Sequence, residues 1–504
     1  MSNTFKIKQQ SSAEKDIYLI ESFHDTGFIN YMIESNCSII SGRKGTGKTA
    51  LAKYLEEKSR DYDIDLAYRI PIRDVSLTGN ENLKDHLNSI IFFIIIKTVL
   101  KLLKEKSFTD KSEKYWENFL IQNGLQDIAD YKSFTELKKN IKGGFSFSGK
   151  ISTFLSSFGA GGKIEQESQL SKSFISDSPS SLIEALKESL PENKNIYIFI
   201  DDISDYFDEG DMNKLGNDLV NLRELLFNLQ NYNSNFYDAG KGLKFISLIR
   251  NDLFEFMDGS NNNKLLTDSI KIEWDEKSFA SLLIRRLPYY QDKLDESLED
   301  PIEAIRKQFP DEIFSKTLAN FGTNQHATKF YSYMISVSFN RPRDFLMFCY
   351  AMRERLSLKH VATFENIESA EIEYSEYFTS ELKDELSLVG RLLKYDFSKN
   401  NINELIELLS QRENFNISQL KTELGKYLDI RTKVGWSKIK RFIRELWRYG
   451  IVGLKEKQDK IIHFKYISKE SVLDEKKFKE YLFFLHRGLW WFAEKKKNRN
   501  KEKD

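Results

Sequence analysis

The residues with the clearest chemical meaning are Gly42, Arg43, Lys44, Gly45, Thr46, Gly47, Lys48, Thr49 and Ala50. Gly42, four residues, then Gly47-Lys48-Thr49 is the spacing G-x-x-x-x-G-K-[ST], whose backbone N–H groups cradle phosphates. Gly42, Gly45 and Gly47 let the chain turn tightly, and a helix opening at Thr49 adds the positive end of its dipole. Lys48 is placed to reach the β- and γ-phosphates, and the Thr49 hydroxyl to hold Mg²⁺. The competing reading is a chance glycine-rich turn. Against it stands the context: residues 37–40 form a short apolar run fit for a buried strand, and residues 49–58 carry Leu51, Tyr54 and Leu55 on one helical face. Binding of a nucleoside triphosphate follows, with ATP and Mg²⁺ as the expected cofactors.

Residues 195–202 read Asn-Ile-Tyr-Ile-Phe-Ile-Asp-Asp, an apolar run ending in Asp201 and Asp202. Such a run suits a central parallel strand buried on both faces. A carboxylate at its carboxyl end, beside a phosphate loop, is expected to hold the Mg²⁺ shell, the role read for Asp201. A second one can orient and deprotonate an attacking water, the role read for Asp202. Ordinary strand-to-loop capping is the alternative, but paired buried acids are costly without a cation.

The next apolar run, residues 243–251, closes with Arg250, placed to face a γ-phosphate and register its loss; pairing with nearby Asp252 competes with that role. Arg341-Pro-Arg-Asp344 opens a helix over 345–356. Pro342 and Asp344 are ordinary helix-start chemistry. Arg341 and Arg343 are read as reaching the phosphates from a helical lid, against a purely structural cap. Arg285 and Arg286, on a helix over 278–287, are read as solvated charges or as groups acting on a neighbouring subunit's nucleotide.

Strands over 37–40, 64–72, 195–202, 243–251 and 269–274, interleaved with helical stretches, predict an α/β fold with one parallel sheet. A helix over 16–35 leads into the loop strand, and residues 23–28 are positioned to help hold the base. Residues 143–178 form a Gly/Ser/Phe-rich insert, read as a surface excursion or as a loop that contacts a partner. The expected organisation is an N-terminal helical segment (1–35), a nucleotide-binding core (36–290), a helical lid (291–395), a winged helix (396–470) and a C-terminal helix with a charged tail (471–504).

The 504 residues carry 76 Lys and Arg against 76 Asp and Glu, so any nucleic-acid or membrane preference must be local. Two cysteines, Cys37 and Cys349, sit in separate apolar runs, as expected for reduced thiols in a cytoplasmic protein. The N-terminal residues show no secretory signal. The most apolar stretch, residues 90–103, is interrupted by lysines and falls short of the about 20 residues a spanning helix needs.

A local bias does appear near the C-terminus. Three short helices (403–410, 417–427, 436–449) followed by a hairpin (450–454 and 460–466) predict a winged helix-turn-helix. Its third helix carries Lys438, Lys440, Arg441, Arg444 and Arg448, with Arg431 and Lys433 before it and Lys455, Lys457, Lys460 and Lys465 in the wing. This basic surface points to double-stranded DNA, with protein docking as the alternative. Residues 476–497 read as a helix that packs back on the body.

Together these residues resemble the AAA+/STAND superfamily of P-loop ATPases, which joins an α/β nucleotide domain, a helical lid and a C-terminal winged helix. Arg250 at the strand end looks more like the STAND branch. The loop Gly42-Arg-Lys-Gly-Thr-Gly-Lys-Thr49, joined to Arg341-Pro-Arg-Asp344, is similar to bacterial phage-defence ATPases. The resemblance implies an ATP hydrolase acting as a nucleotide-controlled oligomerisation or DNA-engagement motor or switch, with homo-oligomerisation, a separately encoded effector and no membrane partner. In the alternative, the chain is a slow STAND-like switch or an initiator-like DNA-binding module. By the same likeness Gly42 to Thr49 bind phosphate, Asp201 holds Mg²⁺, Asp202 is catalytic and Arg250 senses the nucleotide.

Overall fold

The computed structural model describes residues 13, 16, 19–72, 83–122, 174–203, 212–257, 262–275, 278–279, 281–282, 285, 337–353, 364–393, 399–428, 435–456, 462 and 475–492. Most of the Gly/Ser/Phe-rich insert, Arg286, Arg431, Lys433, Lys457, Lys460, Lys465 and the charged tail lie outside them. The chain divides into two compact units. One comprises Gly27–Lys44 and Lys48–Glu273, the other Met1–Thr26, Gly45–Gly47 and Trp274–Asp504.

The first unit is the expected α/β fold. Strands β1 (Ile39–Gly42), β2 (Leu66–Pro71), β3 (Asn195–Asp201), β4 (Gly242–Arg250) and β5 (Ser269–Lys271) form a parallel sheet in the order β2-β3-β4-β1-β5. Ile196–Ile200 and Phe245–Ile249 are almost wholly buried, as strands covered on both faces must be. Strand β4 separates the loop strand β1 from the acidic strand β3, so the Asp201 end stands one strand away from the loop instead of beside it. Local sequence specifies strands but not their order.

Helices α1 (Phe28–Glu34), α2 (Lys48–Lys58), α3 (Leu83–Lys104), α4 (Asp110–Gln122), α5 (Phe174–Ser189) and α6 (Met212–Asp238) belong to the same unit. The single helix expected over 16–35 is broken. A one-turn helix, Leu19–Ser22, and α1 are separated by an irregular stretch ending at Gly27, whose φ of 82° a side chain would strain. The apolar run expected to be a buried helix is α3. Its residues Ile90–Ile96 are buried and it packs on α5, α6 and α4. Among the described residues no helix is long and apolar enough to cross a membrane.

In the second unit, α7 (Pro342–Arg353) packs on the long α8 (Phe364–Leu393). A winged helix follows: α9 (Lys399–Leu409), β6 (Phe415–Asn416), α10 (Ile417–Tyr427), α11 (Trp436–Arg448), β7 (Val452–Glu456) and β8 (Tyr481–Leu485). Asn416 and Gln419 form a reciprocal capping box that starts α10. Helix α11 buries Ile439, Phe442, Ile443, Leu446 and Trp447 along one face. The antiparallel sheet runs β6-β8-β7.

Strand β8 corrects the helix expected over 476–497. Tyr481, Phe483 and Leu485 are buried while Leu482 and Phe484 are half-exposed, a period of two. Strand β7 pairs with this strand, and the hairpin partner expected over 460–466 lies outside the described residues apart from Ile462.

Beyond β8 the chain does pack back, into the lid helices. His486 is fully buried, its ring centroid 4.7 Å from that of Phe339 and 5.2 Å from that of Phe378, and its Nδ1 accepts from the Gly488 N–H at 3.1 Å. The Phe492 N–H donates to Ser375 Oγ at 3.0 Å. Gly488 is required there by contact, since a Cβ would lie 2.3 Å from the Val337 carbonyl oxygen and 3.0 Å from the Phe378 ring. Gly488→Ala is expected to cost about 1–3 kcal/mol through overpacking, seen as a lowered thermal midpoint of the full chain; an unchanged midpoint would show that the strap is not anchored there.

Candidate nucleotide-binding site and cationic face

Strand β1 ends at Gly42 and α2 begins at Lys48, so residues 42–49 form the strand–loop–helix junction the motif requires. Gly45 and Gly47 have φ of 87° and 101°. Two left-handed positions so close together turn successive N–H groups inward, the concavity that receives an anion. Lys48 Nζ donates to the Gly42 and Arg43 carbonyls at 2.7 and 3.0 Å, holding the ammonium over the start of the loop. Arg43, Lys44, Thr49 and Ala50 are partly exposed around it and Thr46 is buried. The loop geometry fits a polyphosphate. Thr49 and the strand-end carboxylates offer the hard oxygen donors Mg²⁺ takes. Among the described residues no group of three or more His, Cys, Asp or Glu could hold a metal, so such an ion would draw its other ligands from phosphate and water.

At the end of β3, Asp201 is only 4% exposed. It is paired with Arg69, a residue the sequence reading passed over: Arg69 Nη1 lies 3.0 Å from Asp201 Oδ2 and 3.9 Å from Asp202 Oδ2. The Asp202 N–H donates to Asp201 Oδ1 at 2.8 Å, and Asp202 has a left-handed φ of 58°. Neighbouring strands supply the groups, with Pro71 of β2 in register with Asp201. The available signal was an arginine inside an apolar strand run. The Arg69 N–H also donates to Glu56 of α2 at 2.8 Å; burial raises the Glu56 carboxyl above its ordinary range, with Arg69 acting against it.

Arg250 ends β4 in register with Gly42, at the edge where the loop begins. Its Nε donates to Asp252 Oδ1 at 3.0 Å and Nη2 to Asp252 Oδ2. The structure shows the pairing with Asp252 at a strand-end position.

In the second unit the loop tip, Gly45–Gly47, meets two groups. The Arg343 main-chain N–H donates to the Gly45 carbonyl at 3.3 Å, and a Cβ on Gly45 would come within 3.1 Å of Arg343 Cβ. Trp274 Nε1 donates to the Thr46 carbonyl at 2.9 Å. The irregular segment after Ser22 brings His24 to 6.3 Å from the Trp274 ring; burial, then Arg285, lower its pKa and favour the neutral imidazole. Arg285 is exposed.

The two lid arginines separate. The Arg343 guanidinium lies 3.4 Å from Glu381 Oε2 and is half-buried. Arg341 is only 1% exposed, bound bidentately by Asp344 and again by Glu385, its guanidinium 5.2 Å from the Phe339 ring. Burial works against its charge, but Asp344 and Glu385 outweigh it and raise its pKa. The structure therefore places Arg341 in the lid core as a structural ion, correcting the phosphate-reaching role expected for it. Arginine type and helix-start position do not distinguish the two; the residues opposite them do.

The winged helix presents the cationic face read from the sequence. On α11, Lys438, Arg441 and Arg444 are exposed and Lys440 and Arg448 half-buried; Lys455 on β7 is also half-buried. Glu445 is buried among them, with Oε2 3.6 Å from Arg448 Nη1. Burial raises its pKa above the ordinary 4.5, against the pull of Arg441 and Arg444.

Residues 292–383 match a family described as the FunZ-associated C-terminal helical domain, a span that includes α7 and part of α8. No curated protein matches the chain. Among solved structures, Cdc6p from Pyrobaculum aerophilum aligns over 92% of this chain and 88% of its own length, at 11% identity and a TM-score of 0.27.

Two outcomes are expected from this geometry. Arg341→Leu strands Asp344 and Glu385 as buried charges and should cost about 3–5 kcal/mol in denaturant unfolding; a phosphate-binding role alone would leave stability intact. Because the folded-state pKa of Glu445 is raised, its stability contribution is fully present below about pH 4.5 and is lost as pH rises through the folded value. Glu445→Gln should therefore be more stable than the parent at neutral pH, with the difference closing toward pH 4.5 in paired unfolding curves.

Proposed function

We propose that this protein is a Mg²⁺-dependent ATPase whose nucleotide state controls oligomerisation or DNA engagement. The observation that carries the reading is the phosphate loop: two left-handed glycines and Lys48 close the end of β1, on the sheet edge where β3 ends in Asp201-Asp202 and β4 in Arg250. The loop N–H groups and Lys48 would bind the phosphates, and Thr49 and Asp201 would hold Mg²⁺, which supplies charge neutralisation at the transferring phosphoryl. Asp202 would orient the attacking water and accept its proton, with Arg69 fixing where both carboxylates point. Arg343 is the lid arginine that would contact the phosphates, as the Arg341-Pro-Arg-Asp344 stretch implies.

The chain would act in the cytoplasm, as a homo-oligomer, with the α11 face engaging duplex DNA and a separately encoded effector completing the pathway. Antiviral defence in bacteria is the setting that the Gly42–Thr49 loop and the Arg341–Asp344 stretch support by resemblance.

One observation favours a second reading, a slow nucleotide switch that hydrolyses only to reset. Asp201 and Asp202 are paired with Arg69, and Arg250 with Asp252, so the reactive groups are engaged within the protein itself.

Lys48→Ala should weaken ATP binding at least tenfold, about 1.4 kcal/mol, by titration calorimetry. Asp202→Asn should retain ATP while turnover falls about 10²- to 10⁴-fold, and EDTA should abolish turnover of the parent. Full hydrolysis by both variants would sink the site assignment. Turnover measured with and without DNA separates the motor from the switch.

A further inference from the structure

The reassignment of residues 481–485 to a strand changes what stands beside the recognition helix. Strand β8 pairs antiparallel with β7, Tyr481 against Glu456, so the segment just before β8 lies beside the end of β7. That segment is a 3-10 turn, Glu475–Lys479, and Lys476, Lys477 and Lys479 on it are exposed. Phe478 between them is 3% exposed, its ring 6.0 Å from that of Phe483 of β8, which pins the turn to the sheet while the lysines face solvent. Among the described side chains at this end, the exposed acids are Glu456 and Glu480. Residue type alone had assigned these lysines to a helix outside the domain.

The α11 face is cationic along its length. Exposed or half-exposed positions are Trp436, Ser437, Lys438, Lys440, Arg441, Arg444 and Arg448. Lys421 of α10, exposed, has its ammonium 4.3 Å from the Trp436 ring, and Lys440 lies 5.9 Å from the same ring. Trp436 thereby fixes two lysines of different helices around the start of α11. Asn and Gln read adenine and Asp and Glu read cytosine, and this face presents none of them; the one acid in the helix, Glu445, is buried, while the exposed Arg441 and Arg444 are of the type that reads guanine. Lysines at the wing act as point charges without bidentate geometry.

We propose that the winged helix binds duplex DNA through its phosphate backbone at two separate surfaces, α11 with Lys421 and the wing turn of Lys476, Lys477 and Lys479. This deepens the DNA engagement proposed above and rests on it. Charge complementarity commits the occupant: two lysine- and arginine-bearing surfaces on one small domain, in a chain with no net charge, match a polyanion.

The test uses the full-length protein and two fluorescein-labelled 20-base-pair duplexes of unrelated sequence, read by anisotropy across a salt series. Both duplexes should bind, with log K falling by about 0.9 per decade of salt for each phosphate neutralised. K476Q/K477Q/K479Q should weaken both equally, by tenfold or more at low salt, and flatten the slope by up to about 2.7. R441Q/R444Q should flatten it independently, so the combined variant loses both increments. Neutral glutamines on an exposed turn keep the fold, and unchanged circular dichroism serves as the control.

A wing variant with the parental affinity and slope overturns the two-surface proposal. Failure of the parent to bind either duplex at 50 mM salt removes the DNA reading itself.

Discussion

In a parallel sheet every strand ends on the same edge, and that geometric constraint assembles the candidate nucleotide site. Gly42, Asp201 and Arg250 are far apart in sequence, yet they close β1, β3 and β4 on one edge because those strands run the same way. Strand β4 sits between the other two and places Arg250 in register with Gly42. The carboxylates consequently stand one strand removed from the loop, with Arg69 of β2 on their far side. Burial of the sheet on both faces keeps this edge rigid, while the polar chemistry is confined to loops and first helical turns.

Burying charge there requires compensation, and each ion has a countercharge. Asp201 has Arg69, Arg250 has Asp252, and Arg341 has Asp344 and Glu385. Such pairs contribute little net stability, because desolvation offsets most of the attraction, but breaking one leaves an uncompensated charge. The lid network also acts at a distance in sequence. Burial, then Asp344 and Glu381, push the Tyr377 phenol above its ordinary range, and Glu381 is the partner of Arg343. The arginine that touches the loop tip is thus held from the same helix face that buries Arg341.

The C-terminal strand links the second unit internally. β8 completes the wing sheet, and the residues after it, His486 to Phe492, lie against Phe339, Phe378 and Ser375 of the lid. Winged helix and lid are therefore fastened to one another through these residues. Gly488, pressed on the Val337 carbonyl, marks how closely the two approach.

The sequence by itself determined the elements whose signal is local. The five strands of the sheet, the phosphate loop, the buried helix α3 and the three helices of the winged domain all follow from apolar runs, glycine spacing and period, because short-range sterics and burial dictate them. It did not determine strand order, since a parallel sheet can be threaded in several ways from the same runs. The break at Gly27 was hidden because a helical period continues on either side of it. The aromatic stretch 481–485 was misread because Tyr481, Phe483 and Leu485 satisfy a helix and a strand pattern alike over five residues, and only pairing with β7 decides. Arg69, Arg341 and Arg343 are chemically alike, and their roles differ only through the partner opposite each. Tertiary structure alone supplies that partner, because an ion's environment is built from residues distant in the chain.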